Sequence, residues 1–219
     1  MIEVFVEQVS ERLIYTLDFI FKERDVSYKI NNDKFLFEKS TNIKFNYSTL
    51  DFDDCVHISP SELLYNEELK EYIIEKVTFD DVECLSFDGI IDPLASVFYV
   101  LSRYEEYISD KEDIHGRFLG KYSLQDKFNW LEYAVCDRWS EVIINFISNH
   151  SSSVIDFQIG EIKIVPTFDI DNTYAYQWKK GIRKYLSVLR DQVKFDKIRI
   201  KERKLVLAGE LKDPYDTFN

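Results

Sequence analysis

The stretch SERLIYTLDFIFKERDVSYKI, residues 10–30, reads as a helix that runs into a strand. Leu13, Leu17, Ile20 and Phe21 recur at the helical period, so residues 10–24 present one apolar face. Residues 26–30 read as a strand, closed by the turn signal Asn31-Asn32-Asp33. Working outward, residues 35–37 and 43–47 alternate apolar positions as further strands, and residues 56–58 form a short buried strand. Ser59-Pro60-Ser61-Glu62 is a helix start, with Ser59 as cap, Pro60 at the first helical position and Glu62 closing the capping box. That helix is expected to reach about residue 74. Asp92-Pro93 opens another, with Leu94, Val97, Phe98, Leu101 and Tyr104 as its stripe to about Tyr107. Residues 109–124 look irregular, and a long helix follows over 126–148, with a break near Tyr133. Helices interleaved with strands give an α/β or α+β class: a mixed sheet with helices on it.

The composition supports a packed domain. Of 219 residues 45% are apolar, and Phe and Tyr number 17 and 14 against 6 Gly and 4 Pro, which excludes a disordered chain, a collagen-like chain and a turn-dense β-sandwich. The net charge of -12 repels phosphate backbones and anionic lipid, so neither nucleic acid nor membrane is expected as partner. Residues 179–204 depart from this, with eleven basic and three acidic side chains. Such a segment is a solvated helix face, a partner for acidic surface, or a binding patch. Cys55, Cys84 and Cys136 form no CxxC pair, which reads as reduced, mostly buried thiols. No signal-peptide pattern and no bilayer-length apolar run are visible, so a cytoplasmic location is expected.

The Ser-rich connector at residues 149–153 marks a boundary. It divides an N-terminal accessory domain, 1–155, from a second domain that begins within 156–219. There, residues 161–168 (EIKIVPTF) read as a strand, and residues 174–191 as a helix. Between them stands Pro166-Thr-Phe-Asp169-Ile-Asp171-Asn172. Two carboxylates two residues apart, at the carboxyl end of a strand, project to one side and relieve their repulsion by sharing a proton or binding a divalent cation. An acidic loop that caps the next helix is the alternative.

The run TFDIDNTYAY resembles the first motif of polysaccharide deacetylases, in its F-D-x-D form. RLIYTLDFIF (12–21), ISPSELL (58–64), FYVLSRYEEY (98–107), HGRF (115–118), Arg190-Asp191 and KDPYDTF (212–218) resemble a bacterial group of these proteins with an extra N-terminal domain. The resemblance covers essentially the whole chain. It implies the first strand and helix of an incomplete deacetylase-type (β/α) barrel, a saccharide substrate carrying acetyl groups, and a divalent metal, zinc above all, in the complete protein. It also implies that Asp169 is the general base and Asp171 a metal ligand. The family completes its metal site with two later histidines, whereas His57, His115 and His150 all precede Asp169. This chain is therefore expected to bind no metal and to be inactive alone, and its barrel fragment to expose apolar surface through which it forms a homo-oligomer. A non-catalytic interaction or scaffold domain is the alternative.

A second polar cluster, Arg103, Glu105, Glu106, His115 and Arg117, reads either as a further site or as a network locking a loop to a helix. His57 reads as a satisfied strand residue and His150 as exposed. Asp51, Asp53, Asp54, Asp80 and Asp81 read as solvated turns, without the glycine turn of a calcium loop. No phosphate-binding glycine loop and no G-x-S-x-G elbow occurs.

Overall fold

A computed structural model describes residues 1–151, 153–160, 163–167, 173–178, 181–193 and 195–216. The chain divides into two compact units, Met1–Glu161 and Ile162–Asn219.

In the first unit β1 (Ile2–Phe5) leads to α1 (Glu11–Phe21), which returns to β2 (Tyr28–Asn31). A short α2 (Lys34–Glu38) then leads to β3 (Ile43–Asn46) and β4 (Val56–His57). These four strands form a parallel sheet of order β2-β1-β3-β4. β1 lies inside it and is buried on both faces, which is why IEVF reads as an unbroken buried run. Its Ile2 and Val4, followed by Val6, join the core that holds Leu13, Leu17 and Ile20 of α1. Phe5 points the other way, onto Phe37 of α2 and Phe52, with ring centroids 5.2 and 4.6 Å away. The two connecting helices therefore cover opposite faces of the sheet.

An antiparallel meander follows: β5 (Ile74–Phe79), β6 (Val82–Phe87) and β7 (Ile90–Ile91). Next come α3 (Pro93–Leu101), α4 (Tyr104–Ile108), α5 (Leu124–Lys127) and α6 (Val135–Asn149). Helices α1, α3 and α6 pack on one another, and α3 and α6 also pack on β6, so one apolar core serves both sheets. The architecture is a mixed α/β fold with helices and two sheets. The second unit contains α7 (Ile182–Val193) and α8 (Lys197–Ala208), joined by an ion pair between the buried Asp191 and Arg203. Gly209, at a φ of 77°, ends α8 in the left-handed conformation that glycine tolerates best.

Several elements differ from the sequence expectations. Residues 35–37 are helical, because Asp33 caps them by accepting from the Leu36 N–H at 3.1 Å. Only Phe37 of this run is buried, which a helix allows and a strand would not, since Phe35 and Phe37 share a strand face. The helix expected from residue 59 to about 74 is a single turn, Glu62–Leu64. Its carbonyls are taken by side chains from the start of α1: Arg12 donates to Leu63 and Glu67, each at 3.0 Å, and Ser10 donates to Leu64. A helix needs those same acceptors. The helix at 93–107 breaks where Arg103 adopts a φ of 56°. The long helix at 126–148 does break at the expected place, since residues 128–134, Tyr133 among them, separate α5 from α6. In the second unit, residues 163–167 form no strand among the described residues, and 161, 162 and 168 lie outside them. The helix expected at 174–191 begins only at Ile182.

Glu3 ties β1 to β2 and to the connection between α2 and β3. It is buried in mid-strand, and its carboxylate accepts from Asn31 at 2.7 Å, from Asn42 at 3.0 Å and from Ser40, and pairs with Lys29 at 3.1 Å. Burial pushes its pKa up, but the bonds from Ser40, Asn42, Asn31 and Lys29 outweigh this and hold it at about 2 against an ordinary 4.5. Because the folded value is depressed, the stabilisation is complete above pH 4.5 and is lost as pH falls towards about 2. Glu3→Ala, which orphans these donors, is expected to lose about 3 kcal/mol at neutral pH in urea unfolding. Glu3→Gln should flatten the acid limb of the stability–pH curve. An identical acid limb in Glu3→Gln and the native chain would refute this role.

Candidate functional site

The parallel strands end in register, with Phe5 beside Asn46 and Asn46 beside His57. The segments leaving these ends diverge, because the connection from β1 returns to β2 on one side while β3 lies on the other. In open α/β sheets such a switch point leaves a crevice outside the carboxyl ends of the strands. Here it is a cavity of about 400 Å³, lined by Glu7 and Gln8 after β1, Thr49 after β3, and Pro60, Ser61, Glu62, Tyr65 and Asn66 after β4.

Its walls are held by bonds that leave other atoms available. Glu7 Oε2 accepts from the Thr49 N–H at 2.8 Å and hydroxyl at 2.9 Å, which fastens the exit of β3 to that of β1. Asn46, Ser48 and His57 pin the loop after β3: Asn46 Nδ2 donates to the Leu50 carbonyl at 2.6 Å, and His57 Nε2 meets the Ser48 carbonyl at 2.9 Å. The Tyr65 hydroxyl donates to the Tyr47 carbonyl at 2.8 Å. Ser10 and Arg12 hold the 62–68 segment against the start of α1, with the Arg12 guanidinium also over the Phe98 and Tyr104 rings.

Behind this wall lies Asp92, which is fully buried. Its Oδ1 caps α3 by accepting from the Ala95 N–H at 2.9 Å. Its Oδ2 accepts from the Ser61 N–H at 2.7 Å and the Tyr47 hydroxyl at 2.8 Å. Burial raises the pKa of Asp92, and the donors of Ala95, Ser61 and Tyr47 only partly oppose it. The Ser61 hydroxyl lies beside this carboxylate, near enough to favour its charge, yet finds no partner of hydrogen-bonding geometry among the described residues. Tyr47 is pushed well above the ordinary tyrosine range, first by burial and then by the Asp92 charge.

A second cavity, of about 340 Å³, lies between the β5–β6 turn and residues 128–139. Its indoles are spent on structure: Trp130 Nε1 donates to the Glu83 carboxylate at 3.1 Å and Trp139 Nε1 to the Glu83 carbonyl at 2.6 Å. Lys76 takes the remaining Glu83 oxygen at 2.7 Å.

The residues singled out in the sequence fall elsewhere. Asp169 and Asp171 lie outside the described residues. Arg103, Glu105, Glu106, His115 and Arg117 separate into local contacts. Arg103 Nε donates to Glu106 at 2.6 Å, and Glu105 accepts from the Leu124 N–H at 2.9 Å. Arg117 grips Asp113 through Nε and Nη2 at 2.9 and 2.7 Å, while His115 joins only through its main-chain N–H to Asp113 at 2.8 Å. No hydrogen bond or ion pair among the described residues joins the Arg103 group to the Asp113 group. His150 is exposed, Cys84 and Cys136 are buried, and the three thiols are free. Burial pushes Cys84 and Cys136 up to about 12, so neither is a nucleophile at neutral pH.

In the second unit Asp213 is buried and receives three consecutive N–H groups, from Ala175 at 2.7 Å, Tyr176 at 2.8 Å and Gln177 at 3.0 Å. Burial raises its pKa, but these donors and the Tyr215 N–H outweigh that and lower it. The nest occupies the backbone where a helix was expected. No group of three His, Cys, Asp or Glu side chains that could hold a metal ion occurs among the described residues. No helix among the described residues is long and apolar enough to cross a membrane.

The sheet order and the crevice define a small α/β domain of the switch-point type, with a crevice at the strand ends. Residues 2–152 match the family of unknown function DUF7033, and the chain belongs to that family. No curated protein and no solved structure matches the chain.

The Asp92 carboxylate holds Ser61, and with it one wall of the crevice. Asp92→Ala is expected to cost about 3 kcal/mol through the lost cap and the orphaned donors, and Tyr47→Phe about 1 kcal/mol. Thermal unfolding of the two variants checks the ranking, and equal melting temperatures would contradict it.

Proposed function

We propose that this chain is the N-terminal portion of a polysaccharide deacetylase-like protein that removes acetyl groups from a saccharide. On this reading Met1–Glu161 is a non-catalytic accessory module. Asp169 and Asp171 belong to the first strand end of an incomplete (β/α) barrel, as general base and metal ligand. The further metal ligands lie in sequence that this chain does not carry. The intact protein is cytoplasmic and bacterial on the same reading.

The observation that carries the proposal is the Asp213 nest. Two of the segments behind the resemblance, TFDIDNTYAY and KDPYDTF, meet in space, because the carboxylate of the second holds the backbone of Ala175 and Tyr176 at the end of the first, and of Gln177 just after it. Such bonds fix the backbone four to six residues after Asp171. The apolar stripe of α7 adds support: Ile182, Leu186, Leu189 and Val193 are all exposed on one helical face, which further barrel elements or a second copy would cover. In the first unit, by contrast, the buried carboxylates Glu3 and Asp92 are spent on internal bonds, which suits a module that binds rather than reacts.

Acetate release from acetylated oligosaccharides, with zinc supplied, separates the outcomes. The expected result is no turnover by residues 1–219 and turnover by a chain extended by about 200 residues, the length a barrel needs. Failure of both would end the deacetylase reading. Turnover by the short chain would show that its own residues complete the site.

Asp213→Ala should release the nest and lower the stability of the second unit by about 3 kcal/mol. Faster hydrogen exchange at Ala175, Tyr176 and Gln177, with the first unit unaffected, is the expected signature.

A further inference from the structure

We propose that the switch-point crevice is a binding site for an uncharged or amino-bearing saccharide unit, recognised through its hydroxyl groups. The proposal rests on the deacetylase reading only for the choice of saccharide; the lining of the crevice argues for polyhydroxylated ligands by itself.

A sugar hydroxyl both donates and accepts, so a sugar site needs acceptors and donors side by side. The crevice supplies both. Glu7 uses Oε2 on Thr49, and Glu62 uses Oε2 on Lys70 at 2.8 Å, which leaves an oxygen of each carboxylate as acceptor. Asn66 uses Oδ1 on the Glu68 N–H at 3.0 Å, which leaves its Nδ2 as donor. Gln8 is exposed at the rim with a whole carboxamide. Tyr65 is half-buried and tethered by its hydroxyl, so it is held in place as an apolar surface for the C–H face of a ring.

Charge narrows the class. No Lys, Arg or His lines the cavity, two carboxylates do, and the chain carries a net charge of -12. A phosphate, sulfate or uronate would meet the Glu7 carboxylate, which no cation pairs among the described residues, while Lys70 is already engaged by Glu62. The volume of about 400 Å³ lies within the range of small-ligand sites. The walls are pinned by Glu7 to Thr49, by Arg12 to Leu63 and by Asp92 to Ser61, so the site is formed before a ligand arrives and little ordering entropy is lost on binding.

Binding to the full chain is measured by titration calorimetry, with amide chemical shifts to locate it. The probes are tetrasaccharides of N-acetylglucosamine, of glucosamine and of galacturonate. The first two should bind and shift Gln8, Thr49 and Asn66, and the third should not. The double variant Gln8→Ala with Asn66→Ala should weaken binding at least tenfold without changing the melting temperature. Tyr133→Ala, in the second cavity, should leave affinity unchanged. The proposal is overturned if neither of the first two probes binds, or if galacturonate binds equally. It is also overturned if only glucosamine binds and salt abolishes it, since that is charge attraction without hydroxyl recognition. Acetate release plays no part in this experiment, so failure here would leave the deacetylase reading standing, and failure there would leave the crevice standing.

Discussion

One carboxylate with no access to water joins the parts of the first unit that would otherwise be independent. Asp92 leaves the antiparallel meander, starts α3, and accepts from a tyrosine at the exit of β3 and a main-chain N–H beyond β4. Its own N–H returns to the Leu85 carbonyl at 3.3 Å, so both sheets are tied to one residue. Burying a carboxylate is costly unless donors surround it, and here three do. The cost of desolvation is visible in the raised pKa. What the cost secures is the position of Ser61 and the strand exits around it.

The crevice follows from that position together with the strand order. A parallel sheet of order 2-1-3-4 diverges between β1 and β3, and nothing in the backbone fills the gap. Loops leaving β1, β3 and β4 line it with carboxylates, carboxamides and a tyrosine. In the same unit, groups with more familiar chemistry are used for construction. Glu3 clasps β2 and the connection between α2 and β3, His57 holds the loop after β3, and the two buried cysteines are kept as thiols. The buried titratable groups of the first unit are thus structural.

The first helix was legible because its apolar stripe and its cap are local: Ser10 accepts from the Leu13 N–H, and the buried residues are the four that the period marks, with Thr16. The opening of α3 at Asp92-Pro93 was legible for the same reason. Residues 35–37 were misread because a run of three apolar residues carries no period, and a cap at Asp33 decided it. The helix expected after Pro60 has good local signals, yet Arg12 and Ser10, some fifty residues earlier in the chain, take its carbonyls. The crevice residues carry no motif. The one signal available for Glu7, Gln8 and Thr49 is that each stands two or three residues after a strand end.

The sequence by itself determined the mixed α/β class of the fold, the buried face of α1 and the start of α3. Periodicity, caps and short-range charge spacing reside within a few residues of each other, so they can be read along the chain. Only the tertiary structure decided that Arg103, Glu105, Glu106, His115 and Arg117 divide into separate contacts. It alone showed that Asp213 grips residues 175–177 and that Asp92 supports the crevice wall. Those outcomes depend on which distant donors reach a given acceptor first, and that is settled by strand order and packing.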